Sequence, residues 1–384
     1  MSPKNDPIHM HQTERAIFDL RRGVAVVIDD DTGSETARAP SVLVQPVEGL
    51  PDEELAGFSG HRSARLVITR HRLRSLGVNT RAEAASLPLR PTASAVSAGI
   101  VLQAACADAP LDRELFAEPQ PATVTERAAL ALMRRALLIP AALTVRLNDR
   151  QRRAIQTQID RGELLTVPAR AAEHCFELAA GLLKRVSEAR VPLNDVAESR
   201  FVLFREPDGL REHVAVVIGH PEQWPDAVPV RMHSACLTGD LFGSLRCDCG
   251  EQLRSGVRTI EEMGGGVLLY LAQEGRGIGL ANKLRAYTLQ DQGHDTVDAD
   301  QILGFGEDER HYCVAVDMLA ALNIRKVRLL TNNPSKLRAL AQGGIEVAGR
   351  EKLYGQVTDE NRRYLTAKAS RSGHLLEEVL DAAK

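Results

Sequence analysis

Three cysteines crowd one short run, Arg231-Met-His-Ser-Ala-Cys-Leu-Thr-Gly-Asp-Leu-Phe-Gly-Ser-Leu-Arg-Cys-Asp-Cys249. Cys236, Cys247 and Cys249 account for half of the six cysteines in the chain. Thiolates at that spacing can close around one zinc ion, which forces the intervening residues into a tight loop. Three protein ligands with an open position make a catalytic site, and four make a closed structural one. His233 is the nearby candidate for a fourth ligand. Spacing alone leaves the catalytic, structural and metal-free readings open.

The remaining cysteines, Cys106, Cys175 and Cys313, lie in apolar surroundings and read as small buried hydrophobes. No secreted disulfide pattern links the six, which favours a reduced cytoplasmic compartment. The polar start Met-Ser-Pro-Lys-Asn-Asp-Pro has no signal-peptide core. The longest apolar candidate, 128–145, is interrupted by Arg134, Arg135 and Pro140, so no membrane span is expected. A net charge of −3 and 4% aromatic residues argue against a nucleic-acid binder.

The 384 residues suffice for two domains, and the pattern is mixed α and β. Residues 1–13 read as polar and unstructured, and 14–22 as a helix burying Ala16, Ile17 and Leu20. Strands are expected at 24–28 and 65–69, and helices at 126–138 and 171–188. Ala189-Arg-Val-Pro-Leu-Asn-Asp195 carries a proline without clear period and sets the expected boundary, giving domains 1–190 and 191–384. The second half alternates more regularly. Strands are expected at 200–204, 213–218, 267–271 and 327–330, and helices at 250–263, 280–290 and 307–322. Asn333-Pro334 marks a further helix start, with Asn333 as cap.

Three more segments carry candidate chemistry. Gln273-Glu-Gly-Arg-Gly-Ile-Gly-Leu280 follows an apolar strand and precedes a helix, so its amides and Arg276 could meet an oxyanion. A plain tight turn explains the glycines equally well. Leu330-Thr-Asn-Asn-Pro-Ser-Lys336 offers a hydroxyl and a lysine at a capped helix start, a phosphate seat or an ordinary cap. Gly304-Phe-Gly-Glu-Asp-Glu-Arg-His-Tyr312 sets three acids before Arg310, as an acid/base group beside an anion clamp or as acids favoured by the helix dipole.

Together these runs, with Leu289-Gln-Asp-Gln-Gly-His-Asp-Thr296, resemble GTP cyclohydrolase II in order and spacing over about residues 191–384. Tyr364-Leu-Thr-Ala-Lys368 and Gly373-His-Leu-Leu376 also fit. The resemblance implies opening of the guanine imidazole ring of GTP, with release of formate and diphosphate, at the start of riboflavin synthesis. The implied product is 2,5-diamino-6-hydroxy-4-(5-phosphoribosylamino)pyrimidine. It further implies one zinc on Cys236, Cys247 and Cys249. The implied GTP contacts are Arg231, Met232, His233, Ser234, Ala235, Gln252, Glu274, Gly275, Arg276, Thr296, Thr331 and Lys336. Asp308 matches the proton acceptor and Arg310 the residue assigned as nucleophile. Magnesium is expected on the triphosphate. A cytoplasmic homodimer is expected, with neither nucleic acid nor membrane as partner.

Two departures qualify the carry-over. Ala235 stands where many relatives have an acid, which implies one weakened ligand contact with the metal retained. A guanidinium stays protonated and is a poor nucleophile, so Arg310 could instead stabilise charge at the α-phosphate. Glu251, Lys283 and Tyr287 read as helix-surface or packing residues.

The first half is fainter. Ala16 to Asp30 and Arg65 to Gly77 resemble the opening of 3,4-dihydroxy-2-butanone 4-phosphate synthase, a frequent fusion partner. The acidic magnesium cluster is replaced by Asp31-Thr-Gly-Ser-Glu-Thr-Ala-Arg38, so a degenerate, non-catalytic domain is expected. The alternatives are a bifunctional riboflavin enzyme and a silent GTP-binding regulator.

Overall fold

In a computed structural model, residues 7–32, 39–59, 64–90, 96–178, 181–196 and 198–362 are described. Beyond them, Leu365, Thr366, Ala369, Arg371, Gly373, Leu375, Leu376 and Leu380 are also described. Gly33 to Arg38, Tyr364, Lys368 and His374, which carried part of the resemblance, lie outside the described residues. The chain is mixed α and β and divides into two compact units. One takes Met1–Leu178 together with Leu284–His294 and Asp298–Glu307. The other takes Ala179–Lys283, Asp295–Val297 and Asp308–Lys384.

The first unit is built on a sheet of seven strands: β1 (Val26–Asp29), β2 (Val42–Pro46), β3 (Ala64–Thr69), β4 (Ala84–Pro88), β5 (Gln120–Pro121), β6 (Ala141–Arg146) and β7 (Leu165–Pro168). Their order is β5-β4-β3-β6-β2-β1-β7, antiparallel except for the parallel β1–β7 pair. The apolar runs buried in β1 and β3 follow from their places inside this sheet rather than at its edges. The helix Pro7–Arg21 buries Ala16, Ile17 and Leu20 as expected. It starts earlier than its polar composition suggested, because Thr13 is also buried, its hydroxyl donating to the His9 carbonyl at 2.8 Å. The helix Val124–Arg135 opens on a capping box between Thr123 and Glu126. Within this unit the Thr69 hydroxyl donates to the Gly304 carbonyl at 2.6 Å.

The second unit holds the other seven strands: β8 (Lys184–Arg190), β9 (Ser199–Arg205), β10 (Glu212–Ile218), β11 (Val228–Ser234), β12 (Gly266–Leu271), β13 (Lys326–Leu330) and β14 (Glu346–Glu351). The order is β14-β13-β11-β12-β10-β9-β8. From β8 to β12 neighbours pair antiparallel; β12, β11, β13 and β14 are mutually parallel. Both faces of the centre are buried, Met232 and Leu269 on one side and Leu268 with Ile260 on the other.

Three local expectations fail for identifiable reasons. The helix expected over 171–188 breaks into Ala169–Glu173 and Cys175–Leu178, and its end becomes β8. That strand is exposed along its length, so no burial pattern announces it. Pairing with β9 and a 2.7 Å bridge from Arg200 to Glu188 hold it. The helix expected from residue 307 begins only at Cys313. Before it, the Arg310 amide donates to the Asp308 side chain at 3.1 Å and the Glu309 amide to the Arg276 carbonyl at 3.1 Å. These bonds compete with the helical ones. Cys313 is exposed rather than buried, because Val314, Ala315, Met318 and Leu319 take the core face of that helix. No helix among the described residues is long and apolar enough to cross a membrane.

Candidate metal and nucleotide site

In open α/β sheets, ligands gather beyond the carboxyl ends of parallel strands. Here Cys236 follows the end of β11, Gln273 to Arg276 follow β12, and Thr331 to Lys336 follow β13. Backbone pairing sets their relative places: Ser234 is opposite Leu271, and the Ala235 amide donates to the Leu271 carbonyl at 2.8 Å.

The three sulfurs of Cys236, Cys247 and Cys249 come within 4.8 Å of one another. Cys236 Sγ lies 3.7 Å from Cys247 Sγ. That is far beyond a disulfide bond. It agrees with the edge of a tetrahedron whose metal–sulfur distance is about 2.3 Å, roughly 3.8 Å. Gly239 makes room for the trio: a Cβ there would stand 2.7 Å from Cys247 Sγ and 3.1 Å from Cys236 Sγ. Sulfur type, spacing and this cradle all fit a zinc ion. Among the described residues no histidine or carboxylate joins the group. His233, the expected fourth ligand of a closed site, instead places Nε2 3.0 Å from Asp240 Oδ1.

Asp240 organises this corner. Its Oδ2 accepts from the Cys236 amide and from the Tyr270 hydroxyl, each at 2.9 Å. Burial holds the His233 imidazole below its ordinary pKa despite that carboxylate. Burial and Asp240 together push the Tyr270 phenol up. Hydrogen bonds from Cys247 and Cys249 pull the Cys236 thiol down, with the nearby Lys283 ammonium adding to the effect.

The remaining expected residues form three connected groups. Arg231 is buried on β11, donating from Nη2 to Gln252 Oε1 at 2.7 Å and from Nη1 to the Leu330 carbonyl at 2.9 Å. Burial pushes its guanidinium down to about 10. Gln252 in turn donates to Asp248, between the two paired cysteines. Lys336 reaches back across the sheet to the Met232 carbonyl at 2.6 Å, while the Thr331 hydroxyl accepts from the Asn333 amide at 3.0 Å. Glu274, Gly275 and Arg276 form a tight turn in which Gly275 and Arg276 are both left-handed, each with φ of 61°. At Gly277 a Cβ would stand 2.7 Å from the Glu309 carbonyl, so this loop and the 308–311 loop touch backbone to backbone.

Arg310 spans from Asp308 to Ser234, whose hydroxyl lies 3.4 Å from Nη1, and its guanidinium sits 5.5 Å from the Tyr312 ring centroid. Thr296 opens the helix Thr296–Ile302; no hydrogen bond joins its side chain to the other expected residues among those described.

Lys283, read as a helix-surface or packing residue, is buried, and its ammonium donates to Cys236, Thr238 and Glu274. Glu251 does take a packing role, accepting from the Gln356 amide at 2.6 Å. Asp240, Tyr270 and Asp248 went unrecognised. Asp240 carried a readable signal, the one charged residue between Cys236 and Arg246.

Residues 184–352 match the family model described as GTP cyclohydrolase II. A protein of Azospirillum brasilense named GTP cyclohydrolase-2 is 42% identical over 373 residues, covering 96% of this chain and 95% of that protein. One of the same name from Xylella fastidiosa is 39% identical over 388 residues, covering 97% and 92%. A Thermotoga maritima protein named riboflavin biosynthesis protein RibBA is 49% identical over 198 residues, 52% of this chain and 50% of that protein.

Proposed function

This chain belongs to the GTP cyclohydrolase II family, and from that premise we propose that Cys236, Cys247 and Cys249 hold one zinc ion beside a GTP pocket. The enzyme acts at the first step of riboflavin biosynthesis. In the proposed reaction the imidazole ring of guanine opens, and formate and diphosphate leave. The product is 2,5-diamino-6-hydroxy-4-(5-phosphoribosylamino)pyrimidine. The observation that carries the zinc reading is the sulfur trio with Gly239 recessed beneath it. Zinc bound there supplies Lewis acidity and a water acidified to a pKa near 7.

The chain's own residues do the rest. Arg231 on β11, Gln252 on the helix Cys249–Glu262 and Lys336 on the helix Pro334–Gln342, all buried or half-buried, orient the nucleotide together with Met232, His233, Ser234, Ala235 and Thr331. Glu274, Gly275 and Arg276 present a carboxylate, backbone amides and a guanidinium from one turn. Thr296 completes the proposed contacts. Magnesium on the triphosphate balances its charge. Asp308 moves the protons of the two hydrolytic steps. Arg310 acts as a clamp at the α-phosphate rather than as a nucleophile, since the Asp308 ion pair at 2.6 Å favours the charged guanidinium. Phosphate trapping that captured a covalent Arg310 adduct would reverse this assignment.

The N-terminal domain, residues 1–190, is proposed to be non-catalytic and to derive from a 3,4-dihydroxy-2-butanone 4-phosphate synthase. Two relatives that match nearly the whole chain carry the name of a single activity, which supports this over a bifunctional enzyme. A cytoplasmic homodimer completes the proposal.

Zinc analysis and GTP turnover on the intact chain and on Cys247→Ser test the reading. One zinc per chain and formate release are expected, with both lost in the variant. Metal-free, fully active protein would end it. Tight GTP binding without formate release would favour a silent regulator.

A further inference from the structure

We propose that Lys283 is a positioning residue for the zinc centre. Its ammonium ties the Cys236 sulfur to the Glu274 carboxylate and so locks the metal loop to the glycine-rich loop. The proposal rests on the zinc reading above and adds a residue to it.

Lys283 is 8% exposed, on the first turn of the helix Leu280–Asp291. Nζ donates to Cys236 Sγ at 3.1 Å, to Thr238 Oγ1 at 3.0 Å and to Glu274 Oε1 at 2.8 Å. An ammonium has three donors, and three acceptors lie within hydrogen-bond reach of this one. Two acceptors belong to the metal loop and the third to the loop after β12. A second tie parallels the first, since the Leu237 amide donates to Glu274 Oε2 at 2.6 Å. The backbone is shaped around the lysine stem: a Cβ on Gly275 would stand 3.0 Å from Lys283 Cβ. A lysine serving only as a solvated helix face needs none of these contacts.

Charge supplies the reason. Three thiolates around a divalent ion leave one net negative charge in a partly buried place. A fixed ammonium in contact with one of those sulfurs offsets it without competing for the metal, since it has no lone pair to offer. Groups that hydrogen-bond to metal ligands typically change metal affinity by about 10–100-fold.

The test is zinc affinity of the full chain, read by competition with a chromogenic chelator in the absence of GTP. Lys283→Met is expected to weaken zinc by about 10–100-fold with an unchanged far-UV spectrum. Lys283→Arg, which keeps the charge, is expected to recover most of that loss. Should the methionine variant fail to fold, Lys283→Gln takes its place in the same comparison. Wild-type affinity in the uncharged variant would overturn the proposal. So would equal losses in the uncharged and arginine variants, which would assign the effect to packing of the stem. A wild-type chain that takes up no zinc would overturn both this proposal and the reading beneath it.

Discussion

Arg310 folds back onto Asp308, its Nε and Nη2 lying 2.7 and 2.6 Å from the two carboxylate oxygens. Burial alone would raise the Asp308 pKa, but this fork, with the Arg276 charge behind it, holds the carboxyl below its usual range. The sign follows from the depressed value. The ion pair's contribution is present above the ordinary aspartate pKa of about 3.9 and is lost as pH falls through the lower folded value. Asp308 is therefore ionised at neutral pH, the form that its proposed role as proton acceptor requires. Arg310→Gln removes the fork, so the acid limb of residual GTP turnover should move to higher pH by about one unit. That is the low end for a carboxylate beside an arginine, because a third of the Asp308 side chain is exposed. The pH dependence of kcat/KM checks it, and an unmoved limb would uncouple the two residues.

Gly239 sets the volume of the sulfur cradle. Its missing Cβ would meet Cys247 Sγ at 2.7 Å, with Cys236 Sγ and Cys249 Cβ each at 3.1 Å. Gly239→Ala should spread the trio and weaken zinc by at least about tenfold, since ligand geometry within a few tenths of an ångström governs such sites. Chelator competition measures it. Undiminished affinity would show that the loop relaxes around the methyl group.

Much of this site was legible from residue types and order, because thiol spacing, glycine placement and a capped helix start are local statements. The strands β11, β12 and β13 were readable as apolar runs, and each ends at a segment already singled out. What the chain hid was tertiary. Lys283 occupies an ordinary helical position, and only the fold brings its ammonium to Cys236. Lys184 to Arg190 is mostly polar and exposed along its length, and becomes a strand through its partner rather than its own pattern. The start of the 313–321 helix was misplaced because Asp308 and Arg276 capture the backbone amides of Arg310 and Glu309.

Arg276 holds a left-handed backbone, φ 61° and ψ 29°, at a non-glycine position inside the loop proposed to face GTP. Such a conformation costs about 1–2 kcal/mol in an L-residue. Arg276→Gly should therefore stabilise the fold by about 1 kcal/mol while removing the guanidinium from the ligand. The expected pairing is a raised thermal midpoint with a KM for GTP at least about tenfold higher, as for a lost charged hydrogen bond. A variant that loses stability as well would show that Arg276 holds the loop more than it strains it.

The aspartates after β1 bear on whether the first half retains chemistry of its own. Asp30 accepts from the Thr32 amide at 2.8 Å, the Thr32 hydroxyl at 2.6 Å and the Ala39 amide at 2.6 Å. Asp31 accepts from the Arg170 amide at 2.9 Å, and Asp29 pairs with Arg152 at 3.1 Å. Each carboxylate thus spends at least one oxygen on a backbone amide or an arginine, and no acidic metal cluster appears in this unit among the described residues. Magnesium needs carboxylate oxygens free to complete an octahedron. Isothermal titration of the GTP-free chain with magnesium should therefore give no heat of binding at this turn. Incubation with ribulose 5-phosphate and magnesium should give no product above background, while the same preparation releases formate from GTP. Turnover of the pentose phosphate at a rate comparable to that of GTP would return the first half to the catalysts.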